Sequence, residues 1–198
     1  MEDRDAIRDY LWQPWEQAGS EHLRLWTSAQ GGDLQVDSQL VIRSGDGVHL
    51  LRGSYRLVLD AAWRVRSVRV ACEQEDGTAL GIALQSDRAG RWRDGSGTDL
   101  PDLDGCLDID IAATPFTNTV PIRRLGLVAG EPVEIRVVFI AIPSLDLSAM
   151  TQRYTRLDAR TVRYESLRHG EVAFSRDLVV DAEGIVVQYP GLFQRTWP

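Results

Sequence analysis

The chain has no lysine; all 22 basic residues are arginine. That removes Schiff-base chemistry and the lysine of a phosphate-binding loop. Arginine still supplies planar forks for carboxylate or phosphate, although an arginine-only sequence also follows from GC-rich codons. Histidine is scarce as well. His22, His49 and His169 stand alone, with no HxH or HExxH spacing, so a metal site has no ligand pattern to rest on. The two cysteines, Cys72 and Cys106, are too few for a disulfide framework and are expected as free, reduced thiols. Acids surround Cys106 in DGCLD and should raise its pKa, which makes it a poor nucleophile. The longest apolar run, Val137–Pro143, falls far short of the roughly 20 residues of a membrane-spanning helix. The first ten residues, MEDRDAIRDY, are charged and lack the apolar core of a secretory signal, so a cytoplasmic protein is expected. There is no GxSxG elbow and no GxGxxG loop. The glycine-rich strings at 45–47 and 94–97 read as hairpin turns.

What is present is ordinary for a globular protein: 43% hydrophobic and 26% charged residues in a chain of 198. That length suits one domain with a sizeable core. The net charge of -7 disfavours a phosphate backbone, so nucleic acid is not an expected partner.

The hydrophobic pattern has period two. Tyr55, Leu57 and Leu59 alternate with polar or smaller residues, and Trp63 and Val65 continue the run. The apolar parity then flips to Val68, Val70 and Cys72, which predicts a bulge near Ser67. Val133–Ile142 reads as a strand that becomes buried on both faces. Further strands are expected at Gln39–Arg43, Ala79–Gln85, Leu107–Ile111, Gln152–Leu157, Thr161–Leu167, Val172–Phe174, Asp177–Val180 and Ile185–Tyr189. Short strands separated by Gly-containing turns predict an all-β sandwich, barrel or roll. Helical signals are few. Asp5–Trp12 could form a short helix, and residues 1–15 read as a loosely docked lead-in. Thr114 followed by Pro115 is a plausible helix start, but Pro121 would kink or end that helix.

The segment Leu103–Leu125, LDGCLDIDIAATPFTNTVPIRRL, carries the chemistry. Asp108 and Asp110 project from one face if LDIDI is a strand. Such a pair can ligate a cation, divide acid and base roles, or form ion pairs with neighbouring arginines. Arg123 and Arg124 follow a Thr/Asn-rich turn and could hold an anionic headgroup or bridge back to Asp108 and Asp110. One Asp–Arg network would explain both motifs. Among the six tryptophans, Trp63 is expected in the core and Trp92 as a hairpin cap; either could also line an acyl or sugar site.

Several strings in order are similar to those of the bacterial putative glycolipid-binding family: GSE at Gly19–Glu21, Trp63 with its Arg-rich strand, the central segment, QRYT at Gln152–Thr155, and DAEGIVVQYPGLF at Asp181–Phe193. The resemblance implies a mostly β, antiparallel spiral β-roll wrapped around one helix, like lipoprotein and lipid carriers. It makes Thr114–Leu125 the candidate for the enclosed helix. It also implies non-catalytic binding of a glycolipid or other amphiphile in a cleft of the curled sheet, with no cofactor. The candidate ligand-contacting residues are Trp63, Asp108, Asp110, Arg123, Arg124 and Tyr154; no catalytic residue and no metal ligand is assigned. Two other readings stay open. One is an enzyme acting on a sugar or phosphoester through Asp108 and Asp110. The other is a ligand-free interaction protein.

Overall fold

The computed structural model describes residues 7–28, 32–44 and 47–198. The first half of the chain forms β1 (Arg8–Pro14), β2 (Ser20–Thr27), β3 (Leu34–Arg43), β4 (Leu50–Leu59), β5 (Val65–Glu73), β6 (Ala79–Ser86) and β7 (Trp92–Asp94). A single 3-10 turn at Pro101–Leu103 leads into β8 (Asp108–Ile111) and the helix α1 (Phe116–Arg124). The second half supplies β9 (Pro132–Ile140), β10 (Leu147–Arg156), β11 (Thr161–Arg168), β12 (Glu171–Val180), β13 (Val186–Tyr189) and β14 (Phe193–Trp197).

All fourteen strands join one sheet in the order β7-β6-β5-β4-β3-β2-β1-β14-β13-β12-β11-β10-β9-β8. Two antiparallel meanders, β1–β7 and β9–β14, are fused where β1 pairs with β14, and β8 adds to the edge of the second. The sheet curls until its far ends touch. Trp92 of β7 donates its indole N–H to the Cys106 carbonyl just before β8, at 2.8 Å. The Gly105 amide bonds the Gly90 carbonyl at 2.9 Å, and the Gln74 side chain reaches the Pro143 carbonyl at 2.8 Å. The end strands β7 and β8 do not pair with each other, so the sheet is not closed into a barrel.

Period two shapes each strand. In β4, Leu51, Tyr55, Leu57 and Leu59 face inward, while Arg52 and Arg56 face out. The expected bulge is there. Val58 pairs with Ser67 and Leu59 with Val65, which leaves Arg66 as the extra residue and returns both Val65 and Val68 to the core. The two short strands expected at 172–174 and 177–180 are one continuous strand, β12.

Other expectations are corrected. Arg8–Pro14 is a strand and not a helix, and it sits between β2 and β14 in the middle of the sheet with Trp12 wholly buried. It is therefore no lead-in; residues 1–6 lie outside the described residues, as do 45–46 of the GDG turn. The hydrophobic alternation of Tyr10 and Trp12 was the signal, and it is satisfied only because both neighbours are present to bond the strand. The sheet is also not purely antiparallel, because β8 pairs with β9 in parallel. A parallel pair needs a crossover, and α1 is that crossover. Pro121 does not end α1, which runs on to Arg124 with the Leu125 amide bonded to the Pro121 carbonyl at 2.9 Å. No helix among the described residues is long and apolar enough to cross a membrane.

The helix lies in the concave interior and divides it. Phe116 and Val120 pack with Trp12, Leu57 and Val68 on one side, and Ile122 packs with Tyr154, Leu178 and Val186 on the other. Cys72 and Cys106 are buried free thiols. Their pKa values are raised chiefly by burial and less by the neighbouring acids, a change of emphasis from the sequence argument.

The contact between the sheet's ends offers a test of the curl. Gly90 has φ +98°, and a Cβ there would stand 3.1 Å from the Gly105 Cα. Gly90→Ala should therefore lower stability by about 1–3 kcal/mol in urea unfolding. An unchanged midpoint would mean that the two ends need not touch.

Candidate functional site

The polar residues of the central segment meet around α1. Asp108 is 0% exposed and takes a two-pronged contact from Arg124, whose Nε donates to Oδ1 at 2.9 Å and Nη2 to Oδ2 at 2.6 Å. Burial raises the Asp108 pKa, and the hydrogen bonds and charge of Arg124 pull against it. Arg124 also stands in the last turn of α1, where a cation offsets the helix dipole. Both arms of this pair are spent on each other. Removing one partner leaves a buried, uncompensated charge, so Asp108→Asn or Arg124→Gln should cost about 3–5 kcal/mol. A double-mutant cycle should show coupling above about 0.5 kcal/mol, and coupling below that would defeat the pair.

Asp110 shares the Asp108 face but has no arginine. Its Oδ1 accepts from the Thr117 hydroxyl at 3.3 Å and its Oδ2 from the Gln152 amide at 2.6 Å. Burial raises its pKa against those two donors. Gln152 continues the network: its amide also reaches the Tyr164 hydroxyl at 3.1 Å, and its carbonyl accepts from Tyr154 at 3.1 Å. Asn118 of α1 donates to the Tyr154 oxygen at 2.9 Å. The phenols of Tyr154 and Tyr164 are pushed up by burial and then by the Asp110 charge. Tyr154 is thus a wholly buried member of the scaffold around the helix.

Arg123 points the other way from Arg124. Its guanidinium lies 4.9 Å from the centre of the Trp63 ring, and it donates to the Glu183 carbonyl. Trp63 is 7% exposed and holds φ +62° in the turn between β4 and β5. This contact fastens the C-terminal end of α1 to two turns of the sheet. The structure therefore gathers Asp108, Asp110, Arg124 and Tyr154 about the helix and sets Trp63 with Arg123 at its end. Asp108 and Asp110 do not share an open cleft, as an acid/base pair would require.

Sequence reasoning did not single out Glu21. It is 2% exposed on β2, on the same inward parity as Leu23 and Leu25. That parity was the available signal, because a glutamate in phase with two buried leucines faces the interior. Its Oε1 accepts from Ser38 at 2.8 Å and from Tyr55 at 2.5 Å. The Thr114 hydroxyl lies 3.2 Å from that of Tyr55 and also acts on the Glu21 carboxyl. Thr114 in turn accepts the Phe116 amide at the start of α1, at 3.0 Å. Among the described residues, Glu21 Oε2 is the buried side-chain oxygen left without a hydrogen-bond partner. Burial pushes the Glu21 pKa up to about 7, with the Thr114, Tyr55 and Ser38 hydroxyls opposing.

That shift has a definite sign. The folded value lies above the ordinary 4.5, so the stabilisation is full below about 4.5 and is lost as pH rises through about 7. The loss is on the order of 3 kcal/mol between pH 4.5 and pH 8. Glu21→Gln keeps the acceptor for Ser38 and Tyr55 but cannot titrate. Its stability should fall less over this range than wild type does, and parallel pH profiles for the two proteins would contradict the assignment.

Glu21 also lines a cavity of about 290 Å³ at one end of the curled sheet. Its other walls are largely apolar: Pro14, Ile42, Ala113, Ile142 and Phe193, with Glu16 and Arg43 also in the lining. From Phe193 a run of ring contacts leads inward through Tyr189 and Tyr164 to Tyr154, with centroids 5.5–6.5 Å apart. A larger groove of about 820 Å³ runs over β3–β6, but it is more open to solvent and holds no unpartnered buried polar atom. The smaller cavity is the better candidate site for that reason. No group of three or more His, Cys, Asp or Glu among the described residues is placed to hold a metal ion.

Comparison with known proteins agrees with this architecture. A family model described as "Putative glycolipid-binding" matches residues 9–195. The crystal structure of a DUF1089 family protein from Pseudomonas aeruginosa is similar at 38% identity, covering 98% of this chain and 96% of that one with a TM-score of 0.71. No curated protein matches the chain.

Proposed function

The chain belongs to the "Putative glycolipid-binding" family, and from that premise we propose that it is a non-catalytic binding protein for an amphiphile, a glycolipid among them. The observation that carries this reading is the end cavity, whose largely apolar lining includes the buried residue Glu21. Ligand sites pair an apolar lining with a few placed polar groups in this way. At about 290 Å³ the cavity is at the small end for such sites. It takes one end of an amphiphile and not a whole two-chain lipid. Phe193, backed by Tyr189, presents the kind of aromatic face that packs on a sugar ring or an acyl chain.

In this reading the sheet is a spiral roll of the lipid-carrier kind and the protein works in the cytoplasm. Asp108 and Arg124 hold the helix that shapes the cavity. Trp63 and Arg123 clasp its far end, and Asp110 and Tyr154 brace the wall behind the aromatic run. The net charge of -7 favours an uncharged or weakly charged ligand over nucleic acid. An enzyme built on Asp108 and Asp110 has less support, because Arg124 occupies the first carboxylate.

The test is retention. Protein incubated with glycolipid-containing vesicles and re-isolated should carry an amphiphile adduct in native mass spectrometry. Ala112→Trp places a bulky ring on an exposed position of the cavity wall and should abolish the adduct while leaving the fold intact. No adduct on the wild-type protein would sink the reading. An adduct unaffected by Ala112→Trp would move the site elsewhere.

A further inference from the structure

We propose that Glu21 Oε2 is a hydrogen-bond-accepting subsite for a hydroxyl group of the bound amphiphile, which makes the end cavity selective for uncharged, hydroxyl-bearing headgroups. The inference rests on the amphiphile-binding reading and adds to it the polar contact and the headgroup chemistry.

Two independent observations meet at this residue. One is the cavity itself, which Glu21 lines. The other is an orphaned atom. Ser38 and Tyr55 both donate to Oε1, which leaves Oε2 buried and without a donor among the described residues. A buried acceptor with no partner costs free energy comparable to a lost hydrogen bond. A ligand donor supplied from the cavity would recover that cost only in the bound state.

The surroundings decide which donor fits. Ser38, Tyr55 and Thr114 face the carboxyl from β3, β4 and the start of α1, and their hydroxyls are already engaged with Glu21, with each other or with the Phe116 amide. They orient the carboxyl without filling its second corner. An anionic headgroup would be brought against the carboxylate, while Arg124 is held on Asp108 and Arg123 on Trp63 and Glu183. Arg43 also lies in the lining; its Nε donates to the Gly47 carbonyl, which leaves it charged, so the octanoate arm of the test below reports whether it recruits an anion in place of a hydroxyl. An ammonium group carries three donors, and losing its hydration among apolar walls for one acceptor is unfavourable. A hydroxyl has a single hydrogen to place and leaves its carbon skeleton against Ile42, Ala113 and Phe193.

Isothermal titration at pH 8.5, where Glu21 is ionised, with three short-chain probes tests this. They are octyl glucoside below its micelle concentration, its tetra-O-methyl derivative, which lacks hydroxyl hydrogens, and octanoate. Octyl glucoside should bind wild-type protein at least about tenfold tighter than either of the others, the worth of one hydrogen bond to a charged group. In Glu21→Gln the open corner becomes an amide N–H, a donor, so the advantage over the methylated probe should shrink by about tenfold. Unfolding curves recorded in parallel check that this variant folds, and the wild-type comparison stands even if it does not. If all three probes bind wild type with similar affinity, the cavity takes amphiphiles but Glu21 is not a headgroup contact, and the inference falls alone. If none binds wild type, the amphiphile reading falls with it.

Discussion

The helix α1 lies inside a curled sheet, yet its sequence, FTNTVPIRR, is largely polar. Seven of its nine residues are buried, so its hydroxyls and amide have no water to bond, and each buried polar group must find a protein partner. Thr117 bonds Asp110 and the Ile111 amide, Asn118 bonds Tyr154, and Thr119 accepts the Val186 amide. Arg124 closes the set on Asp108. The helix is fixed in rotation and depth by these bonds as much as by Phe116 and Val120. Everything that surrounds it, from the parallel β8–β9 pair to the end cavity, is placed relative to this one docked element.

Three inward carboxyls meet that constraint in three ways. Asp108 is neutralised by a two-pronged arginine, a strong geometry that offsets the cost of burial. Asp110 has only neutral donors, Thr117 and Gln152, and burial raises the pKa of both aspartates. Glu21 has two donors on one oxygen and none on the other, and its pKa moves to about 7. The difference lies in what stands opposite each strand position. Only Glu21 combines an unmet acceptor with a cavity, which is why it, more than the paired aspartates, stands out as a contact for something from outside.

The outer face follows a different rule. Arginines there meet acids across adjacent strands: Arg56 with Asp37 and Arg163 with Asp177. Exposed pairs of this kind contribute about 0–1 kcal/mol each. They serve solubility and strand register more than stability.

Local sequence determined the strand-rich fold, most strand positions, the bulge beside Ser67 and the polar start of the helix at Thr114, because alternation, parity and capping are set by neighbouring residues. It also made the Asp–Arg link plausible, since both charges lie in one short segment. It did not reveal that Asp108 takes the arginine while Asp110 does not, that Arg123 and Arg124 diverge, or that Arg8–Pro14 is a central strand. Those outcomes depend on partners far along the chain: Val186 opposite Trp12, Gln152 opposite Asp110, Glu183 opposite Arg123. Glu21 was legible as an inward residue by its phase with Leu23 and Leu25. That one of its oxygens would be left unbonded beside a cavity was decided only when β3, β4 and the helix start closed around it, because hydrogen-bond satisfaction is a property of the assembled interior and not of any one segment.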